Sequence, residues 1–417
     1  MEQLHNLFLQ SSGVCTDTRN ILKGSLFFCL KGENFDGNEF ALSALENGAK
    51  FVVTERKDLA ENPNCVVVEN VLETLQALSH YHRRKLTIPV IGITGTNGKT
   101  TTKELVAAVL SRKYKTTFTK GNLNNHIGVP LTLLSIRDDA ELAIVEMGAN
   151  HNGEIAQLCK LVEPDFGLIT NIGKAHIEGF GSVENIVATK RALYDAVMSR
   201  GGELFVNAAD KRLSELTAGY GKVVRYGADS ETIGEVVEMN PYLKIRILGN
   251  VVQTRLTGNY NLNNMLAAAA VGKRFGVADD LIVRALEEYV PSNKRSQIET
   301  AGTNTVIADY YNANPTSMAA ALHNLSGINH QKKLAVLGAM RELGSESAAE
   351  HRKIVELAET LQIPALFVGS EYEGCGGAMT FGTVDELNAF LSENRPENTL
   401  ILLKGSRGMH LENVIIE

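Results

Sequence analysis

The chemistry-bearing residues begin with Gly95-Thr96-Asn97-Gly98-Lys99-Thr100-Thr101. They directly follow the strand-like run of residues 89–94 and directly precede a helical pattern carrying Leu105, Val106, Val109 and Leu110. Glycines in such a turn let backbone N–H groups wrap an anion, and a helix N-terminus adds positive potential. Lys99 is then placed to reach the β- and γ-phosphates of a nucleotide, and the Thr100 hydroxyl to hold Mg²⁺. The spacing departs from the strict phosphate-loop pattern, whose first glycine would fall at Ile93. A Gly/Thr-rich turn before an ordinary helix is the plain alternative.

Three more positions invite chemistry. Glu146 closes the apolar run 142–146, which puts a carboxylate at the carboxyl end of a strand, where α/β sheets bind ligands. Lys190 falls inside the apolar stripe Val183, Ile186, Val187, Tyr194 and Val197 of a helical pattern. Burial there would push an amine towards its neutral form, although spacing alone favours a lysine that snorkels at the margin of the face. Asn261 and Asn264 share one helical face and offer an amide pair to a base edge, and the same spacing describes two solvent-facing asparagines at a helix start.

The elements that must position these residues alternate short apolar runs with helical patterns, which implies parallel α/β architecture. A length of 417 residues suits about three domains. The basic stretch 80–85 and the polar stretch 291–295 mark boundaries, giving domains at 1–84, 85–295 and 296–417. One long helical tract is expected from Asn261 to Tyr289, followed by a small doubly wound last domain. With 44% hydrophobic and 21% charged residues, wholesale disorder is excluded. The 41 basic against 48 acidic side chains, with no basic–aromatic strip, argue against nucleic acid as a partner. No apolar run approaches the ~18 residues of a membrane helix, so no membrane insertion is expected. No secretory signal is expected from Met1-Glu2-Gln3-Leu4-His5, and five scattered cysteines read as reduced thiols in a cytoplasm.

The variant loop resembles that of the Mur ligase family, which includes the folylpolyglutamate synthetases. Asn124-Asn125-His-Ile-Gly128, Glu146-Met-Gly-Ala-Asn150, Thr170-Asn171 with His176, and Asn261/Asn264 after Gly258 follow in the family's order. The resemblance implies a three-domain ATP-dependent amide-forming ligase. A central P-loop ATPase-type sheet is flanked by a small N-terminal α/β domain and a C-terminal Rossmann-like domain. It implies two Mg²⁺ ions, with Thr100 and Glu146 on the nucleotide-linked one, and His176 and a carbamylated Lys190 helping with the second. It further implies Arg295 and Asp309 on ATP phosphates and ribose. A uridine-nucleotide pocket would be made of Thr16, Asp17, Thr18, Arg19, Phe28, Lys31, Gly32, Phe35, Asp36 and Gly37, with an aromatic face stacking uracil. Asn124, Asn125, Asn312 and Asn314 are further substrate contacts.

In the last domain Asp309-Tyr-Tyr-Asn312-Ala-Asn314-Pro315, Leu337-Gly-Ala-Met-Arg-Glu342 and Lys404-Gly-Ser-Arg407 resemble the family member that adds a D-alanyl-D-alanine dipeptide to a UDP-N-acetylmuramoyl-tripeptide. Lys404 and Arg407 would take the dipeptide carboxylate. Asn38 stands where the family usually has histidine, and Ala339 where it more often has an acid. The expected state is a monomer. A member adding a different amino acid is the alternative within the family. A nucleotide-driven switch and a non-catalytic UDP-sugar module are the alternatives outside it.

Overall fold

Each stretch of alternating apolar runs and helical patterns closes into its own mainly parallel sheet in the computed structural model, which describes residues 1–416. The first sheet has four parallel strands in the order Val14–Cys15, Leu26–Phe28, Phe51–Thr54, Cys65–Val67. The helix Val71–Arg83 covers it, placing Val71, Leu75 and Leu78 against Leu26, Phe28 and Val53. A short hairpin pairs Lys31–Gly32 with Phe35–Asp36.

The central sheet has six parallel strands in the order Val223–Tyr226, Glu203–Asn207, Phe166–Ile169, Val90–Thr94, Leu142–Glu146, Thr116–Phe118. Its first strand in the chain, Val90–Thr94, lies in the interior of the sheet, because the chain runs first to one edge and then returns to the other side. The carboxyl ends of three adjacent strands therefore release Gly95, Met147 and Thr170 at one rim, the place where such sheets bind ligands. The third sheet is ordered Gln297–Ala301, Asn304–Ala308, Leu400–Lys404, Lys333–Gly338, Ala365–Val368, Met379–Phe381; its first pair is antiparallel and the rest parallel.

Three features differ from the sequence expectation. The tract 261–289 is two helices, Asn261–Arg274 and Asp279–Glu288, because Gly276 at φ +68° turns the chain between them. An antiparallel meander, Gly234–Met239, Leu243–Ile247 and Asn250–Gln253, buries Leu243, Ile245, Ile247 and Val252 in the core shared with both of those helices. Its outward face mixes Glu235 and Arg246 with exposed Val236, Val237 and Val251, so no continuous apolar run marks it. The edge strand Gln297–Ala301 is likewise interrupted by polar residues, and Met379–Phe381 is only three residues long.

A pair of glycines sets how closely the helix Val183–Ser199, which carries Lys190, approaches the central sheet. Gly92 and Gly167 are register partners on adjacent strands. A Cβ on Gly92 would lie 2.8 Å from Met147 Cε and 2.9 Å from Leu193 Cδ1, and one on Gly167 would lie 3.1 Å from Val197 Cγ2. The helix thus packs on bare strand backbone. Gly92→Val is expected to cost about 1–3 kcal/mol through overpacking and to lower the thermal midpoint by several degrees. Gly221→Ala, whose Cβ would meet nothing within 4 Å, is the control. Equal midpoints for the two variants would show that the close approach does not matter.

Candidate active site

The phosphate loop is built by pairing with the segment that leaves the neighbouring strand. Thr96 N–H donates to Asn171 O at 2.9 Å, and Asn97 N–H to Asn171 Oδ1 at 3.0 Å. Asn171 Nδ2 returns a bond to Asn97 O at 2.9 Å, and Thr170 Oγ1 adds another at 2.7 Å. Gly95 and Gly98 sit at positive φ, where added Cβ atoms would lie 1.9 Å from Thr170 Oγ1 and 2.7 Å from Asn264 Oδ1. The helix Lys99–Leu110 makes its first internal bond from Thr102 N–H to Gly98 O, at 2.8 Å. The N–H groups ahead of it are free to bind an anion. Lys99 curls back, its Nζ donating to Gly95 O at 2.8 Å and Thr96 O at 2.9 Å. Burial lowers its pKa to about 8; Glu146 opposes the shift and Arg295 adds to it.

Behind the loop, Glu146 is fully buried. Its Oε1 accepts Asn124 Nδ2 at 2.8 Å and Thr100 Oγ1 at 3.1 Å. Its Oε2 has no hydrogen-bond partner. An ionisable oxygen left bare beside a hydroxyl is a hard-cation donor set, so these residues fit Mg²⁺. Among the described residues no group of three or more His, Cys, Asp or Glu side chains gathers as a metal cage.

Lys103 was not singled out by the sequence, although its i+4 spacing from Lys99 was the available signal. It is fully buried, with Nζ 3.8 Å from Glu146 Oε2 and 3.7 Å from Glu104 Oε1. Glu104 is held in turn by Tyr289 OH at 2.6 Å and by Asn293. Lys190 is 3% exposed and makes no hydrogen bond or ion pair among the described residues; its Nζ stands 5.9 Å from the Phe180 ring centroid. Burial pushes its pKa well below the ordinary lysine range, and Lys99 pushes it further. His176, in a left-handed conformation, pairs through Nδ1 with Glu342 Oε2 of the last domain, and that bond holds the Glu342 carboxyl below its usual range. Lys174 adds ion pairs to Glu346 and Glu350.

A cavity of about 1000 Å³ joins Thr96–Thr101, Glu146 and His176 to Asn124, Asn125, Asn261, Asn264, Arg295, Asp309, Asn312, Asn314 and Lys404. Lys190 is not part of its wall. Several of these residues are already engaged. Asn264 Nδ2 donates to Asn261 Oδ1 at 2.8 Å, Asn261 Nδ2 to Thr257 O at 2.7 Å, and Thr102 Oγ1 to Asn264 Oδ1 at 3.0 Å. The asparagine pair therefore fastens two helices behind the loop and does not present two free amide edges. Asn125 Oδ1 accepts the Ile127 and Gly128 N–H groups at 3.1 and 2.9 Å, ahead of the helix Gly128–Leu134. Asn314 caps Pro315–Gly327 and also donates through Nδ2 to Asn97 Oδ1 at 2.7 Å. Lys404, expected to await a carboxylate, is buried and pairs with Asp309 Oδ2 at 2.7 Å. Arg407 is exposed and outside the cavity wall.

The first-domain group lies apart from that cavity: none of Thr16, Asp17, Thr18, Arg19, Phe28, Lys31, Gly32, Asp36 or Gly37 lines it. Phe28 is 0% exposed in the core beside Leu26, Val53 and Leu75, so it cannot stack on a base. Phe35 is the available aromatic, 59% exposed, with its ring against Gly32, where a Cβ would lie 2.3 Å from it. Asp17 and Arg19 pair with each other at 2.8–2.9 Å, and Lys31 pairs with Glu55 at 2.5 Å. Asn38 is buried and takes Thr54 Oγ1 and Glu55 N–H, both at 2.7 Å.

A nucleotide-sized cavity between a variant phosphate loop, a buried carboxylate and a separate α/β domain is the arrangement of one ligase class. The descriptions "Mur ligase family, catalytic domain", "Mur ligase middle domain" and "Mur ligase, glutamate ligase domain" match residues 10–93, 93–272 and 294–407. The chain belongs to the Mur ligase family. The UDP-N-acetylmuramoyl-tripeptide--D-alanyl-D-alanine ligase of Bacillus subtilis (strain 168) is 33% identical, over 97% of this chain and 92% of its own. That of Escherichia coli (strain K12) is 33% identical, over 99% and 95%. Among solved structures, MurF from Acinetobacter baumannii superposes with TM-score 0.86 at 31% identity, covering 99% of this chain and 97% of that one. MurF ligase from Thermotoga maritima in complex with ADP superposes with TM-score 0.84 at 26% identity, covering 98% and 96%.

The Lys99 environment has a pH signature. Its folded pKa lies below that of an unfolded lysine, so between pH ~8 and ~10.4 the unfolded chain holds the extra proton and Lys99 adds stability as pH rises. Lys99→Met lacks this term. Its stability relative to the wild type should fall on going from pH 7 to pH 9.5 in urea melts, and a pH-independent difference would show that Lys99 titrates normally.

Proposed function

We propose that this chain joins D-alanyl-D-alanine to the terminal carboxylate of a UDP-N-acetylmuramoyl-tripeptide at the expense of ATP. The observation that carries the reading is the free N–H row of the phosphate loop facing one cavity with Lys99 and the half-satisfied Glu146 carboxylate. The names of full-length relatives support the substrates. Residues 1–84 hold the uridine nucleotide, with Phe35 in the stacking place, residues 85–295 hold ATP, and residues 296–417 hold the dipeptide with Arg407 on its carboxylate. The cavity is complete within one chain, which supports a monomer, and the five cysteines are free thiols, as in a cytoplasm.

The tripeptide carboxylate attacks the γ-phosphorus, the bond to the bridging oxygen breaks, and ADP leaves an acyl phosphate. The dipeptide amine then attacks the acyl carbon, loses a proton, and phosphate departs. The loop N–H groups and Lys99 stabilise the charge that builds on the transferring phosphoryl group. Thr100 and Glu146 would hold one Mg²⁺, and His176 with a Lys190 carbamate the other; when bound, these cations would neutralise charge on the phosphates. Burial, which lowers the pKa of the Lys190 amine, favours capture of carbon dioxide: an N–C bond forms, one C=O π bond opens to a carboxylate, and one proton leaves the nitrogen. The last domain, tied down at Asn314 and Glu342, keeps water from the acyl phosphate.

Phosphate release should need Mg²⁺·ATP, the UDP-linked tripeptide and D-alanyl-D-alanine together. Better turnover with a single amino acid and a shorter peptide would place the chain elsewhere in the family. Lys190→Ala should lose at least ~100-fold in turnover, and millimolar acetate should restore part of it by supplying two oxygens in the vacated space. Labelled bicarbonate should give a carbamate carbon signal in the wild type only. Full activity of Lys190→Ala without acetate would refute the carbamate.

A further inference from the structure

The guanidinium carbon of Arg295 stands 3.9 Å from the centroid of the Tyr311 ring, and both residues line the cavity with Lys99 and Thr100. Arg295 Nε is buried and has no hydrogen-bond partner. The backbone on either side of Arg295 is left-handed, with Lys294 at φ +55° and Ser296 at φ +52°. Side-chain-bearing residues keep that conformation only where their surroundings over-determine it. Here Ser296 N–H donates to Asp309 Oδ1 at 3.0 Å, and Ser296 Oγ pairs with Tyr260 OH at 2.7 Å.

The ring is fixed just as firmly from its own side. Lys404 Nζ reaches Asp309 Oδ2 at 2.7 Å, Asp309 O at 3.3 Å and Asn312 O at 3.2 Å, so one buried ammonium staples both ends of the turn that carries Tyr311. A carboxylate partner would hold Arg295 by consuming its N–H donors. A ring face holds the cation and leaves the in-plane donors free for an anion.

We propose that Tyr311 is a positioning residue whose ring sets the Arg295 guanidinium to meet the polyphosphate of the bound nucleotide. The proposal rests on the nucleotide site described above, so its test reads nucleotide binding directly, by calorimetric titration of MgADP into the full chain. Tyr311→Phe keeps the ring and should bind within about twofold of the wild type. Tyr311→Leu should bind about 5–20-fold more weakly, and Tyr311→Met, closer in length, should match it if the leucine variant folds poorly. In an Arg295→Met background, Tyr311→Leu should add less than about twofold, because its effect runs through the guanidinium. A loss in Tyr311→Phe as large as in Tyr311→Leu overturns the proposal, and so does a Tyr311→Leu loss that persists in full without Arg295. Wild-type protein that binds no MgADP overturns the nucleotide site and this proposal together. Binding that ignores Tyr311 overturns this proposal alone.

Discussion

The phosphate loop keeps its shape because one side chain imitates a strand. Asn171 gives Asn97 both halves of a backbone pairing, an acceptor for its N–H and a donor for its carbonyl. The loop is thereby continued as a false strand beyond the end of Val90–Thr94, and the helix behind it starts with its N–H groups bare. Without that amide the Asn97 N–H would lose its partner, at about 1–3 kcal/mol, and Asn97 O would keep only Thr170 Oγ1. The carboxyl-end geometry of the central sheet matters chemically only because this pairing holds the anion cradle open.

Charge balance around the loop explains how an acidic protein handles a polyanion. Lys99, Lys103 and Arg295 all lie near the cavity or just behind it, while Glu146 and Glu104 are the opposing carboxylates. The lowered pKa values of Lys99 and Lys103 are the mark of amines kept from water before an anion arrives. The net −7 of the chain is a property of its surface and says little about this interior.

The parts of the candidate site that were legible have local signals: the loop and Glu146 at a strand end are each defined by neighbours within a few residues. Lys190 is buried although its spacing alone favoured the margin of the helical face. Phe28 misled because every residue of Leu26–Phe28 is buried, so no alternation separates a core aromatic from a binding one. Lys404 misled because its partner, Asp309, is 95 residues away. Asn261 and Asn264 read as ligands for a base, yet they satisfy each other, and sequence spacing cannot tell an amide offered outward from one already taken. The parallel core strands announced themselves as apolar runs, whereas the meander of residues 234–253, solvated on one face, did not.

The contacts between the last domain and the centre are of two electrical kinds. Asn97 and Asn314 meet amide to amide at the loop itself, a neutral bond that dissolved salt hardly touches. Lys174 with Glu346, 3.3 Å apart and half-exposed on both sides, forms an ion pair nearer to water, where dissolved salt weakens the attraction. The joint therefore combines a neutral hub at the loop with a rim whose attraction responds to dissolved salt.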